Sequence, residues 1–563
     1  MDYFAGRAHR GAVPTLLSQD DRTYYRDLFA AIDAAQWAKV QQMFTQRSTG
    51  PLRQVALAEY YLAPTSPKIE LAPLEAWLDQ GTELPQSERI MGLAQKRGST
   101  TLHTLPSANT FVSVPSRARR ERPRETGDGT MPGAVAGAIQ RKIKDDDAPG
   151  AKALLDGIDT QLSPNARAEW RSKVSWSFYV INDDADAFTL GQAALDGAGP
   201  WVAEGVWISA LAAWRLGDCR AASEAFARSA QLSTNPELTA AGFYWQSRAL
   251  VRCRQPELAA APLRAAARMD ETLYGMLAAE QLGTDLPKSH ETPDFSQADW
   301  QDLRDVPNVR VAVALAEIGE DALADEVLRH QARIGRPAQF GALSRLARSL
   351  GTPGTQLWMA YNVPQGTRPE PASRFPTPRW TPVTGWKVDP ALVYAHTLQE
   401  SVFRAGVVSP AGARGLMQIM PSAARDHAAS LGVSGNASDL NKPEVNLAFG
   451  QQHLQMLRDS PGTQGLLPKV MAAYNAGLTP VTRWNSQIKD QGDPLLWIES
   501  VPYWETRGYV NIVLRNYWMY ERQAGGPSES RMALAQGMWP TFPGLSGSAG
   551  VRMRADGTVD RGR

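Results

Sequence analysis

Apolar residues recur at helical spacing from the first well-patterned stretch onward. From Arg22, TYYRDLFAAIDAAQWAKVQQMFTQ predicts a helix pair with a turn near Ala34 to Trp37. Leu52 to Leu62, Leu74 to Leu78 and PQSERIMGLAQKRG continue the pattern, the last with Ser87 as its expected cap. Residues 101–134 break it: PSRARRERPRETGDG is rich in Arg, Pro, Ser and Gly and predicts an exposed or disordered linker. Its basic run of Arg117, Arg119, Arg120, Arg122 and Arg124 reads as a solvated, partly self-neutralised segment rather than a polyanion contact.

From Val135 to Asp270 an internal repeat appears. Three segments each place a tryptophan (Trp176, Trp207, Trp245) in a first helix, followed by a polar turn and an Ala-rich second helix. A weaker copy runs from Ala314 to Gly335. A period of roughly thirty residues predicts helix hairpins stacked into an α-solenoid, with Ala allowing close helix approach. In that register Cys219 begins the second helix of one hairpin and Cys253 ends the first helix of the next. Those ends are expected side by side, so a disulfide and two buried thiols both fit the pattern.

Gly351 to Lys387 is Pro-rich and reads as a connector. Beyond it, Asp389 and Pro390 form an N-cap followed by a proline at the first helical position. The helix they start carries one stripe of Ala391, Tyr394, Ala395, Leu398 and Val402. It carries a second face of Val393, His396, Thr397, Glu400 and Phe403. A carboxyl on a helix that is apolar on two sides is expected to be desolvated, its pKa raised toward neutrality, and so suited to general-acid chemistry. The helix is expected to break at Gly406, with Gly412 and Gly415 punctuating a short irregular or hairpin segment before Leu416 to Met420. Helices are then expected from Pro421 to a stop at Gly432, from Pro443, from Leu467 to Gly477, and over GYVNIVLRNYWMYER, with a loose tail after Gly525.

The resulting division is a helical superhelix over 1–350, a connector over 351–387, a catalytic domain over 388–525 and a flexible tail over 526–563. At 563 residues the chain is too long for one core. A formal net charge of +1 gives no bulk electrostatic case for nucleic acid, and no run of about eighteen apolar residues offers a membrane span. The start, MDYFAGRAHRGAVPTLLSQ, lacks an apolar signal core, which leaves lost export information or a cytoplasmic protein as readings. A disulfide would favour an oxidising compartment. The seven His are scattered without ligand spacing, so neither metal nor cofactor is expected.

Four motifs stand in order in the last third: Gln399-Glu400-Ser401, the run from Ser409 to Pro421 (SPAGARGLMQIMP), Ala473-Tyr474-Asn475-Ala476-Gly477, and Glu505-Thr506-Arg507-Gly508-Tyr509-Val510. This series resembles that of the soluble lytic transglycosylases. The resemblance implies a mainly α protein: an N-terminal α-solenoid that closes into a ring with a goose-type-lysozyme-like α domain, the latter holding at most a small β-hairpin. It implies cleavage of the bond between N-acetylmuramic acid and N-acetylglucosamine in peptidoglycan, leaving a 1,6-anhydromuramyl end. Glu400 would serve first as acid and then as base, with Ser409, Gln418, Met420, Tyr474 and Glu505 contacting or positioning glycan. A periplasmic monomer acting on glycan strands is expected. Where the family has an aromatic, Asn or Asp, and Pro, this chain has Val402-Phe403-Arg404-Ala405-Gly406. The rivals are a hydrolytic muramidase, which needs a second carboxylate from among Asp426, Glu444 and Glu505, and a non-catalytic glycan-binding scaffold.

Overall fold

Helices dominate, and most begin where a capping side chain or a proline at the first turn predicts them. The computed structural model describes residues 13–116, 118–284, 294–367 and 370–560, so the chain start through Ala12 and Arg117 of the basic run lie outside the described residues. The chain divides into two compact units. One comprises Met1–Ser116, Lys288–Thr381 and Val402–Ala405; the other comprises Arg117–Pro287, Pro382–Ser401 and Gly406–Arg563.

In the first unit the helices Gln19–Asp33, Trp37–Gln46, Arg53–Leu62, Leu71–Leu78 and Ser87–Lys96 follow the predicted order. Ser87 is inside its helix rather than capping it; the N-cap is Gln86, which makes no side-chain cap bond. Tyr25, Leu28, Val55 and Trp77 share one apolar core with Val309, Val313, Leu328 and Leu346 from far along the chain. That shared core explains why the chain does not divide at residue 350: burial binds the two ends of this unit together across the intervening repeats. The Pro-rich connector is also more ordered than its composition predicts. Pro353–Tyr361 is a helix, and β2 (Asn362–Pro364) pairs antiparallel with β1 (Phe111–Ser113).

In the second unit the repeat is as the spacing predicts. Helices Pro164–Val180, Trp201–Leu216 and Pro236–Arg252 carry Trp176, Trp207 and Trp245, and each is followed by its Ala-rich partner. Trp207 and Trp245 are fully buried. Cys219 and Cys253 are joined in a disulfide, their Cα atoms 5.4 Å apart. The segment expected as a solvated basic linker is pinned by one of its arginines. Arg120 lies 2.8 Å from Glu204 and 3.3 Å from Glu499, over the Trp207 ring. A buried cation is tolerated only when paired, and Arg120 has two carboxylates. Trp201 Nε1 donates to the Arg124 carbonyl, anchoring the same stretch.

The last third of the chain, also in this unit, supplies α1 (Pro390–Ser401), α2 (Pro421–Leu431), α3 (Pro443–Asp459), α4 (Leu467–Ala476) and α5 (Trp504–Gln523). Asp389 caps α1 as predicted, its Oδ1 accepting from the Ala391 N–H while its Oδ2 accepts from the Tyr517 hydroxyl. The expected loose tail is folded. Helix Glu529–Ala535 leads into a three-stranded antiparallel sheet of β3 (Trp539–Pro540), β4 (Gly550–Met553) and β5 (Val559–Asp560), in the order β3-β4-β5. Trp539 and Phe542 are buried, and Trp539 Nε1 donates to the Gly492 carbonyl. Two large aromatics supply the burial that a Gly- and Ser-rich composition conceals. Among the described residues no helix is long and apolar enough to cross a membrane, and no cluster of His, Cys, Asp and Glu is poised to hold a metal.

Candidate active site

Helix α1 delivers Glu400 to its last turn, and its neighbours explain why that carboxyl is unusual. Val393, His396 and Thr397 on the same face are fully buried. Ser401 Oγ donates back to the Thr397 carbonyl, a helix-supporting bond. The chain then turns sharply: Val402 and Phe403 have φ of 53° and 58°, a left-handed pair that a β-branched residue rarely adopts. The helix therefore ends at two strained side-chain-bearing residues, several positions before the predicted break at Gly406. Strain of this kind is tolerated where surrounding structure over-determines it.

Burial pushes the Glu400 carboxyl up to about 7; the Tyr509 hydroxyl opposes that rise and the charge of Glu505 adds to it. Tyr509, from α5, donates to Glu400 Oε1 at 2.6 Å. The same hydroxyl lies 2.7 Å from His396 Nδ1. Burial drives the His396 ring down to about 3, with His453 contributing, so this imidazole is neutral. Tyr474, from α4, stacks nearly parallel to Tyr509 with ring centres 6.4 Å apart and approaches His396 to 4.6 Å. Burial, and then the charge of Glu400, raise both tyrosines well above their ordinary range, so each is a hydrogen-bond donor at any working pH.

The glycine-punctuated segment after α1 is a pair of isolated antiparallel bridges, Val408 with Arg414 and Arg414 with Ile419. Ser409 organises its first turn: its Oγ accepts from the Ala413 N–H, its own N–H donates to the Ala413 carbonyl, and its carbonyl accepts from the Gly412 N–H. Gly415 has φ +74°, and a Cβ there would come within 2.2 Å of both Asn446 Nδ2 and the Leu440 carbonyl. Gln418, itself at φ 51°, donates from Nε2 to the Gly415 carbonyl at 2.9 Å, which is local backbone satisfaction. Met420 is 42% exposed at the entrance to α2.

Three residues that carry this geometry, Asn446, Thr506 and Tyr509, were not singled out by the sequence reading. Asn446 on α3 is fully buried; it accepts from the Met417 N–H and donates to the carbonyls of Arg414 and Leu440, clamping the segment before Gln418. Tyr474 donates to the Met417 carbonyl at 2.7 Å, so the same residue is held from two sides. Thr506 donates to Asn475 Oδ1 and ties the start of α5 to the end of α4. Tyr509 stood inside a quoted motif, one turn after Glu505 on the same helix face, and that i, i+4 spacing was the one available signal. Glu505 itself is exposed. Glu400, Tyr474 and Glu505 are thus brought into one electrostatic neighbourhood, and Tyr474 also bonds the Met417 carbonyl, one residue before Gln418, whose own amide bonds within its turn. Chemically, the arrangement is a carboxyl poised to give and take a proton near neutrality, with fixed tyrosine donors.

Residues 383–496 match the transglycosylase SLT domain family. The chain is 34% identical over 155 residues to the soluble lytic murein transglycosylase of Escherichia coli (strain K12), covering 27% of this chain and 24% of that protein. It is 37% identical over 125 residues to the putative soluble lytic murein transglycosylase of Haemophilus influenzae, covering 22% and 21% of the two chains. The matched stretch thus spans about a quarter of the first relative's length. The structure resembles that of the 70 kDa soluble lytic transglycosylase of Escherichia coli, with a TM-score of 0.54 at 18% identity, covering 93% of this chain and all of that one. At that identity the likeness concerns the fold alone.

Proposed function

We propose, from the premise that residues 383–496 match the transglycosylase SLT domain family, that the chain is a peptidoglycan lytic transglycosylase using Glu400 alone as acid and base. The observation that carries the reading is the Glu400 carboxyl itself: half-buried, held up to about 7, and met by a tyrosine donor rather than by a second buried carboxylate. Near neutral pH such a group populates both protonation states, which one residue serving two successive roles requires.

In the first step the Glu400 carboxylic acid gives its proton to the glycosidic oxygen between N-acetylmuramic acid and N-acetylglucosamine. The bond from C1 to that oxygen breaks, and N-acetylglucosamine leaves with a free hydroxyl. The muramyl 2-acetamido oxygen stabilises the oxocarbenium-like C1, while Tyr509 donates to the Glu400 carboxylate just formed. In the second step that carboxylate removes the C6 hydroxyl proton, and O6 attacks C1 to close the 1,6-anhydro ring. Glu400 ends protonated and no water is consumed. Intramolecular attack by a tethered hydroxyl has the high effective molarity that makes a positioned water unnecessary.

We assign Ser409, Gln418, Met420, Tyr474 and Glu505 to contacts with the glycan or to its positioning. The exposed thioether of Met420 offers a face for a sugar ring, and the Gln418 amide offers its oxygen to an acetamido N–H. The periplasm is the compartment where such a substrate lies, and the Cys219–Cys253 disulfide suits it. The specific observation favouring a hydrolytic muramidase is the charge of Glu505 near Glu400, which could serve a water. Digestion of purified peptidoglycan followed by mass spectrometry separates the two. The expected muropeptides end in anhydromuramyl groups, each lighter by one water than the reducing-end product; reducing ends alone would reject the mechanism.

A further inference from the structure

Tyr509 has one hydroxyl proton and two partners, Glu400 Oε1 at 2.6 Å and His396 Nδ1 at 2.7 Å. If that proton goes to Glu400, the Tyr509 oxygen must accept from His396, and the ring carries its hydrogen on Nδ1. If it goes to His396, Glu400 must donate to Tyr509, and the ring hydrogen sits on Nε2. The far side of the ring decides between these. His396 is fully buried, and among the described residues its Nε2 has no hydrogen-bond partner. A buried N–H with no acceptor is rarer in proteins than a buried acceptor with no donor, so the hydrogen belongs on Nδ1. The donor order is then His396 to Tyr509 to Glu400.

We propose that His396 is a positioning residue for the acid-base cycle: by donating to the Tyr509 oxygen it commits the Tyr509 hydroxyl to Glu400 and sets how readily that carboxyl releases and retakes its proton. The inference rests on Glu400 being the acid and base, as proposed above. The groups facing the ring are Tyr509 from α5, Tyr474 from α4 and His453 from α3, with Glu400 one turn along its own helix; Glu400 is in turn faced by Tyr509, Tyr474 and Glu505. His453 is itself held down by burial and by His427. The ring stays neutral, so it acts as a hydrogen-bond donor and not as a charge. A hydroxyl whose oxygen accepts a bond is also a better donor, the cooperativity expected of a chain at low local dielectric.

The test compares H396F, which removes the donor, with H396N, whose amide nitrogen stands close to the position of Nδ1. Two readouts are used: kcat against pH on purified peptidoglycan, and infrared difference titration of the Glu400 carboxyl referenced to E400Q, which needs no turnover. In H396F the Glu400 midpoint is expected to rise by about half a unit to one unit, the effect of losing roughly one hydrogen bond. The basic limb of the rate profile should follow, and kcat should fall about tenfold. H396N is expected to restore both. A midpoint that stays put in H396F, or one that moves equally in H396N, overturns the proposal. A downward shift overturns it too, because it means that the ring was taking the Tyr509 proton. Should H396F not fold, H396Q replaces it, since glutamine leaves the Nδ1 position without a donor and is expected to shift the midpoint upward. If the infrared shift appears while the wild-type digest yields no anhydro product, the functional reading fails and the hydrogen-bond order stands.

Discussion

Replacing Asn446 by alanine tests the clamp on which the Gln418 segment depends. The side chain is fully buried and makes three bonds to backbone: from the Met417 N–H at 2.8 Å, to the Arg414 carbonyl at 2.9 Å and to the Leu440 carbonyl at 2.8 Å. Alanine leaves one buried N–H and two buried carbonyls to find new partners. An unmet buried donor costs about 1–3 kcal/mol, and a carbonyl with a second lone pair tolerates the loss better. Water entering the vacated space would recover part, so the expected destabilisation is about 3 kcal/mol. The functional loss should exceed the stability loss, because Met417 also receives the Tyr474 hydroxyl and Gln418 holds a left-handed φ of 51° next to it. N446D is expected to fare no better than N446A, since it keeps an acceptor for Met417 but turns a carboxylate toward two carbonyls. Urea unfolding followed by tryptophan fluorescence reads the first quantity, and turnover of purified peptidoglycan well below the transition reads the second. A change under about 1 kcal/mol with full activity would refute the reasoning.

Two further outcomes follow from the cited geometry. The folded-state pKa of Glu400 is raised from 4.5 to about 7, so between those values the folded chain holds more protons than the unfolded one and stability falls as pH rises. Wild type should therefore lose up to roughly 3 kcal/mol relative to E400Q across that window and hold level above it, as paired urea titrations would show, while E400Q abolishes lysis and keeps strand binding. The Cys219–Cys253 bridge closes a loop with a sequence separation of 34, for which chain entropy gives about 4 kcal/mol; reduction should lower the urea midpoint accordingly, and an unchanged midpoint with both thiols titratable would argue against it.

Local signals carried the helical architecture. Caps and prolines at first helical turns placed α1, α3 and α4 because they act within one turn of their own position, as Asp389 does on Ala391. The tryptophan repeat placed the hairpins and, through them, the two cysteines. Composition misled where a few side chains outweighed their surroundings: Trp539 and Phe542 fold a segment otherwise rich in Gly and Ser, and Arg120 finds two buried carboxylates that no local pattern announces.

The sequence alone determined that an acid sits on a doubly apolar helix, and that desolvation would raise its pKa, because helical periodicity converts spacing directly into burial. Only the tertiary structure decided what opposes that rise. Tyr509 reaches Glu400 across 109 positions, and Asn446 fixes Met417 across 29. Those bonds depend on how α1, α3, α4 and α5 pack together, and the hydrogen bonds of a helix with itself say nothing about which neighbour it will meet.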